Sequence, residues 1–252
     1  MSGIDEGRGA DGETAVGFDY DLADCGVDVW VVELDREAAQ VADRVGLLSA
    51  DERERYERLK VEDARRRFAV TRASLRTILG RYLNVSSADL EFVYKEHGKP
   101  ELAPDHNSRD IRFNLSHSHE RAVLAVGAGG ELGVDIERLR DSVEFVKLAK
   151  RFFSPREAES LAGLSGDELK RQFFQIWTAK ESYIKAIGTG LRLPLDQFDF
   201  EIGDKIPALH ETRHDPREKD RWCFRQFEIE DDYLATLAMG KPERTIRFCR
   251  ES

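Results

Sequence analysis

Apolar residues Phe173, Ile176, Trp177, Ile184 and Ile187 recur at three- and four-residue spacing. This draws one stripe along a helix expected over residues 166–187, stopped by Gly188, the residue that helix C-termini favour. Upstream, the β-branched run 27–34 reads as a first strand. Ser49 followed three residues later by Glu52 is a capping box that opens a helix, and a longer helix is expected over 64–83, with Phe68, Leu75, Leu79 and Tyr82 on one side. Residues 90–94, 111–116 and 122–126 read as strands, and 95–100 as a turn punctuated by Gly98 and Pro100. Helices are expected over 143–152 and again after Ser154-Pro155-Arg156-Glu157, a second capping signal with Pro at the first helical position. Strands at 198–202, 222–229, 233–239 and 245–249 then suggest an antiparallel sheet, with 203–221 a polar loop. Gly127-Ala128-Gly129-Gly130 marks a boundary between two stretches that share an α+β pattern without a sequence repeat. The expected division is a disordered acidic tail over 1–16, an N-terminal α+β half over 17–128 and a C-terminal α+β half over 129–252.

Charge sharpens this picture. The 252 residues carry a net charge of −10, unevenly placed. Residues 1–28 hold eight acids against Arg8, whereas 51–81 hold ten bases against six acids. An acidic chain with one basic segment lacks the broad basic face of a nucleic-acid binder and suits a small polyanion bound at one place. The sequence has no run of 18 apolar residues, and its first residues have no secretory pattern, so neither a membrane span nor export is expected. Cys25, Cys223 and Cys249 are odd in number and far apart, which fits reduced thiols in the cytoplasm.

The chemistry gathers at two stretches. On the central helix Glu181 lies one turn after Trp177 and one turn before Lys185, which by itself could be a surface Glu–Lys pair. In Gly133-Val134-Asp135-Ile136-Glu137 the two acids, two apart on a β-type run, point to one face. Carboxylates so placed repel unless a cation or base sits between them. A third carboxylate from the helix would complete a hard-oxygen cage suited to Mg²⁺. Arg65, Arg66 and Arg67 put cations near a helix N-terminus, either as a solvated face or as a place for a bound anion. Ser116 and His117 face opposite sides of a strand end, and Glu157 is either a capping carboxylate or a reactive one.

GVDIE followed about forty residues later by WTAKESYIKAIGTGL resembles the signature pair of the surfactin-type 4′-phosphopantetheinyl transferases. The resemblance spans roughly residues 27–250. It implies an α+β pseudo-dimer, two similar halves in one chain with the active site in the cleft between them. It also implies an enzyme that moves the phosphopantetheine arm of coenzyme A onto a serine of an apo acyl or peptidyl carrier protein. Such a reaction depends on Mg²⁺ and releases adenosine 3′,5′-bisphosphate. By position, Asp135, Glu137 and Glu181 match the Mg²⁺ ligands, Lys185 the lysine at the pyrophosphate, and Lys180 the residue preceding the catalytic Glu. Asp135, Lys180 and Lys185 are expected among the coenzyme contacts. Ser116 and His117 match a segment that holds coenzyme A phosphates. Lys95, Lys99 and Pro100 match the nucleotide-side turn, and Arg66 or a neighbour matches a base at the 3′-phosphate. Glu157 falls in an FFS-x-x-E motif that supplies a candidate base, beside Glu181. A lysine is expected in some members where Glu52 stands. A monomer that binds neither nucleic acid nor membrane is the corresponding expectation. Two other classes use the same residues differently: a Mg²⁺-dependent phosphodiesterase or nucleotide hydrolase with water as acceptor, and a nucleotide-binding scaffold without catalysis. The intact acids and lysines argue against the scaffold.

Overall fold

The computed structural model describes residues 22, 26–94, 98–141, 144–202, 207–230 and 232–251. The expected tail over 1–16 lies outside them. Strand β1 (Val27–Glu33) leads into helices α1 (Ala38–Gly46), α2 (Ala50–Arg58) and α3 (Glu62–Leu83). The small hairpin β2 (Phe92–Tyr94) and β3 (Pro100–Leu102) follows, then the long hairpin β4 (Ile111–Ser118) and β5 (Arg121–Ala128). The plan then recurs. Strand β6 (Leu132–Arg138) leads into α4 (Phe145–Phe152), α5 (Pro155–Ala162) and α6 (Gly166–Ile187). The hairpins β7 (Phe198–Ile202) with β8 (Pro207–Thr212), and β9 (Trp222–Ile229) with β10 (Tyr233–Gly240), complete it, and β11 (Ile246–Arg250) closes the chain. In each half the last hairpin strand pairs antiparallel with the first strand, β5 with β1 and β10 with β6. In each, a helix of 22 residues, α3 or α6, covers the sheet. These are the two similar α+β halves of the expected architecture.

Alternation along the strands makes the layers. On one face of the first sheet, Trp30, Val32, Leu124 and Val126 pack under Leu75, Ile78 and Leu79 of α3. On the other, Val29, Val123 and Ala125 meet Val134, Ile136 and Leu237 of the second sheet. That sheet turns its far side, through Leu234 and Ala238, to Phe173, Ile176, Ala179 and Ile184 of α6. The result is four layers, helix, sheet, sheet, helix, with both halves joined through apolar sheet faces.

Three expectations change. The segment 203–221 is not all loop: β8 pairs with β7, and a register shift between Asp199 and Phe200 breaks the alternation that would have revealed it. The C-terminal strand does not extend the second half's sheet, because β11 pairs in parallel with β1 of the first. Arg247 fixes it there, donating Nε and Nη2 to the buried Asp28 carboxylate at 2.7 Å each, while Cys249 enters the first core. The Gly-rich break is shorter than expected, since β5 runs through Ala128 and only Gly129 and Gly130 turn the chain, at φ +65° and +73°.

The contact that sets the site is between β6 and α6. A Cβ on Gly133 would lie 2.1 Å from the Ser182 carbonyl oxygen and 2.4 Å from the Ala186 nitrogen. Backbone on both sides leaves nothing to give way. Gly133→Ala should therefore cost about 3 kcal/mol or more, the upper end for overpacking, read as a lowered denaturant midpoint. A midpoint unchanged from wild type would show that strand and helix are not in this close contact.

Candidate functional site

Gly133, Asp135 and Glu137 share the face of β6 that meets α6, where Glu181 and Lys185 stand one turn apart. The Lys185 ammonium donates to Asp135 Oδ1 at 2.6 Å and to Ser116 Oγ at 2.7 Å, and Ser116 Oγ donates to the same Oδ1 at 2.9 Å. Ser118 Oγ donates to Glu137 Oε2 at 2.8 Å and accepts from the Arg138 amide at 3.2 Å. Asn114 Oδ1 accepts the Val134 amide at 2.8 Å. Thus Asn114, Ser116 and Ser118, alternate residues of edge strand β4, join the edge strand β6 of the other sheet by side chains rather than a backbone ladder. The cleft between the halves is lined by this polar seam and α6.

Electrostatics mark the same place. Burial, then the charges of Asp135 and Glu137, push the Glu181 carboxyl up to about 7, with Lys185 opposing. Glu137 is raised too, by burial and then by Asp135. His117 keeps exposed surface, while partial desolvation by the surrounding protein, followed by the Lys185 and Arg67 charges, lowers its pKa. Asp135 Oδ2 is buried without a hydrogen-bond partner. The described residues hold no ready-closed cluster of three metal-ligating side chains, and the Lys185 ammonium is the cation at Asp135. An unpartnered carboxylate oxygen and two further acids held in repulsion nevertheless form a donor set of hard oxygens that fits Mg²⁺.

Other sequence candidates lie elsewhere. Glu157, 2 % exposed, is enclosed: one oxygen accepts the Phe200 amide at 2.8 Å, and the other accepts the Ser154 amide at 3.0 Å and pairs with Lys180 at 2.8 Å. Lys180 is fully buried and also donates to the carbonyls of Leu195 and Phe198. Burial lowers its pKa, with Glu157 pulling it back up. Neither residue reaches the cleft, so Glu157 is a cap and ion-pair partner rather than a base, and Lys180 is not a coenzyme contact. The first half contains the same device: Glu52, also in a capping box, binds Arg76 of α3, which donates to the Ser87 and Leu90 carbonyls. This explains the acid where a lysine was expected. Burial alone would raise the Glu52 pKa, but Arg76 and Arg72 bring it down.

Lys99 donates to the carbonyls of Leu132 at 3.0 Å and Lys185 at 2.7 Å, tying the end of α6 to β6. It lines a cavity of about 310 Å³ with Pro100, Asn114, Lys185 and Arg72. Arg66 donates to the Leu34 carbonyl at 2.7 Å, Asp35 at 3.0 Å and Glu120 at 2.9 Å, so its guanidinium is engaged within the first half. Lys95 lies outside the described residues. Sequence reasoning passed over Asn114, Ser118 and Gly133, although polar residues at every second position of FNLSHS were a visible signal.

The sequence matches the family described as the 4′-phosphopantetheinyl transferase superfamily over residues 131–238, and 4′-phosphopantetheinyl transferase, N-terminal, over 36–128. It is 36 % identical over 214 residues to the 4′-phosphopantetheinyl transferase HetI of a Nostoc species, covering 85 % of this chain and 87 % of that one. The chain belongs to the 4′-phosphopantetheinyl transferase superfamily. The transferase is also 28 % identical to Sfp of Bacillus subtilis, over 85 % of this chain and 93 % of that protein. Against the human L-aminoadipate-semialdehyde dehydrogenase-phosphopantetheinyl transferase it is 30 % identical, over 68 % and 60 % respectively. The matched N-terminal and C-terminal segments of the transferase fall on its two structural halves.

Removing the Glu157 carboxylate would strand a buried ammonium. Glu157→Ala in this transferase should therefore lose about 3–5 kcal/mol of stability, measured by urea unfolding. A variant of wild-type stability with a collapsed turnover would restore Glu157 as the base.

Proposed function

We propose that this enzyme transfers the 4′-phosphopantetheine arm of coenzyme A to a serine hydroxyl of an apo carrier protein, releasing adenosine 3′,5′-bisphosphate. The observation that carries the reading is the buried Asp135, bound by Lys185 and Ser116 on one oxygen and unpartnered on the other, with Glu181 and Glu137 beside it in the cleft. Asp135, Glu137 and Glu181 would hold Mg²⁺, which when bound neutralises diphosphate charge and supports the phosphoryl transition state. The chain's own groups do the rest. Lys185, steadied by Ser116, directs its remaining donor at the diphosphate, and His117, at the mouth, meets the 3′-phosphate. Glu181, the cleft carboxylate of the two considered as base, takes the serine proton, directly or through a water. The serine oxygen forms the new bond to phosphorus as the bond to the bridging oxygen breaks, and Lys185 offsets the charge that leaves with it.

Both walls of the cleft come from one chain, which supports action as a monomer. No helix of the described residues is long and apolar enough to cross a membrane, and Cys223 and Cys249 form no disulfide, which fits a cytoplasmic enzyme. The net charge of −10 speaks against nucleic acid as a partner.

The test incubates the protein with coenzyme A, Mg²⁺ and apo acyl or peptidyl carrier proteins and weighs the carrier. A gain of one phosphopantetheine arm is expected. Asp135→Ala and Glu181→Ala should each abolish that gain with the fold intact by circular dichroism. Near-normal turnover by either variant at ordinary Mg²⁺ would remove the metal site, and cleavage of coenzyme A without carrier would favour a hydrolase.

A further inference from the structure

The three consecutive arginines that open α3 do different work. Arg65 lies over the Tyr56 ring, 4.5 Å from its centroid. Arg66 has both Nη atoms committed, to the Leu34 carbonyl and the carboxylates of Asp35, Glu120 and, at 3.5 Å, Asp63. Arg67 gives only its Nε, at 3.1 Å, and its Nη2 to one oxygen of Glu120, so among the described residues the other edge of its guanidinium is unclaimed. Glu120 stands in the turn between β4 and β5, three residues after His117. That turn is anchored: the Leu34 amide donates to the Glu120 carbonyl at 2.9 Å, and the Glu120 amide donates to the Tyr233 hydroxyl at 3.3 Å.

We propose that Glu120 is a positioning residue, which holds Arg67 beside His117 with one guanidinium edge turned outward for the 3′-phosphate of coenzyme A. This rests on the assignment of that phosphate to His117. A flexible arginine must give up rotamer freedom to meet a phosphate, and an anchored carboxylate on its near edge removes that cost beforehand. A planar fork held on one side keeps two parallel donors on the other, the geometry that phosphate oxygens take. The Arg67 charge already reaches both histidines, adding to burial and Lys185 in lowering the His117 pKa and to burial, Arg138 and Arg140 in lowering that of His119. Burial would raise the Glu120 carboxyl, but hydrogen bonds from Arg66 and Arg67 outweigh it and hold the group at about 2, so the anchor stays ionised at working pH.

Glu120→Gln keeps the shape and removes the charge. A contact made equally in ground and transition states appears in KM. The variant should raise KM for coenzyme A about tenfold, the loss of roughly one charge-assisted hydrogen bond. Its kcat should stay within about twofold, and KM for 3′-dephospho-coenzyme A should not move. Arg67→Lys, which keeps the charge and loses the fork, should show the same selective loss, and thermal melting checks that both variants are folded. If Glu120→Gln raises KM for both substrates alike, Glu120 serves the fold only. If it lowers KM for coenzyme A, the carboxylate opposes the phosphate, and either result overturns the proposal. A wild-type enzyme indifferent to the 3′-phosphate would instead overturn the His117 assignment beneath it.

Discussion

The site depends on one close approach, that of β6 to α6 at Gly133. With 2.1 Å between a hypothetical Cβ and the Ser182 carbonyl, only glycine lets the strand lie against the helix backbone. That distance brings Asp135 within 2.6 Å of Lys185, though fifty residues separate them in sequence. It also puts Glu181 near enough to Asp135 and Glu137 for their charges to oppose its ionisation. A cation between such groups relieves a repulsion that the backbone has already imposed.

Around this contact the fold is a plan used twice, with divergent contents. Each half begins with a strand, runs through three helices and two hairpins, and locks its second helix to its third by a buried ion pair. In the first half the pair is Glu52 with Arg76, in the second Glu157 with Lys180. In both, the cation also ties down carbonyls just before the next hairpin. Burying such pairs costs desolvation, so they contribute more to fixing geometry than to net stability. Here they fix the third helix, and in the second half that helix carries Glu181 and Lys185.

Much of this was legible in the chain. The period of 3.6 from Phe173 to Ile187 gave α6 with its stop at Gly188, and both capping boxes gave true helix starts, because these signals are local. The two motif carboxylates and the helix pair were also visible, since their spacing is their chemistry. What stayed hidden is set by partners distant in sequence. Nothing in 246–250 says that it pairs with β1, and the Asp28–Arg247 contact spans 219 positions. Glu157 reads from its own capping signal as a cap and from the family motif as a base, until Lys180 is seen to enclose it. Three adjacent arginines cannot be told apart until Glu120 and Asp35 take up Arg66.

The central claim is that carboxylate repulsion, imposed by the fold, makes the site a cation site. An acid whose folded pKa is raised from 4.5 to about 7 destabilises the metal-free protein once it must ionise, so stability from this group falls as pH rises through that window. Thermal unfolding of wild type and Glu181→Gln between pH 5 and pH 8, each with and without Mg²⁺, isolates the effect. Wild type should lose more melting temperature than the variant as pH rises, and Mg²⁺ should restore it at pH 8 in wild type alone. Parallel pH profiles with an equal Mg²⁺ shift in both proteins would contradict the account.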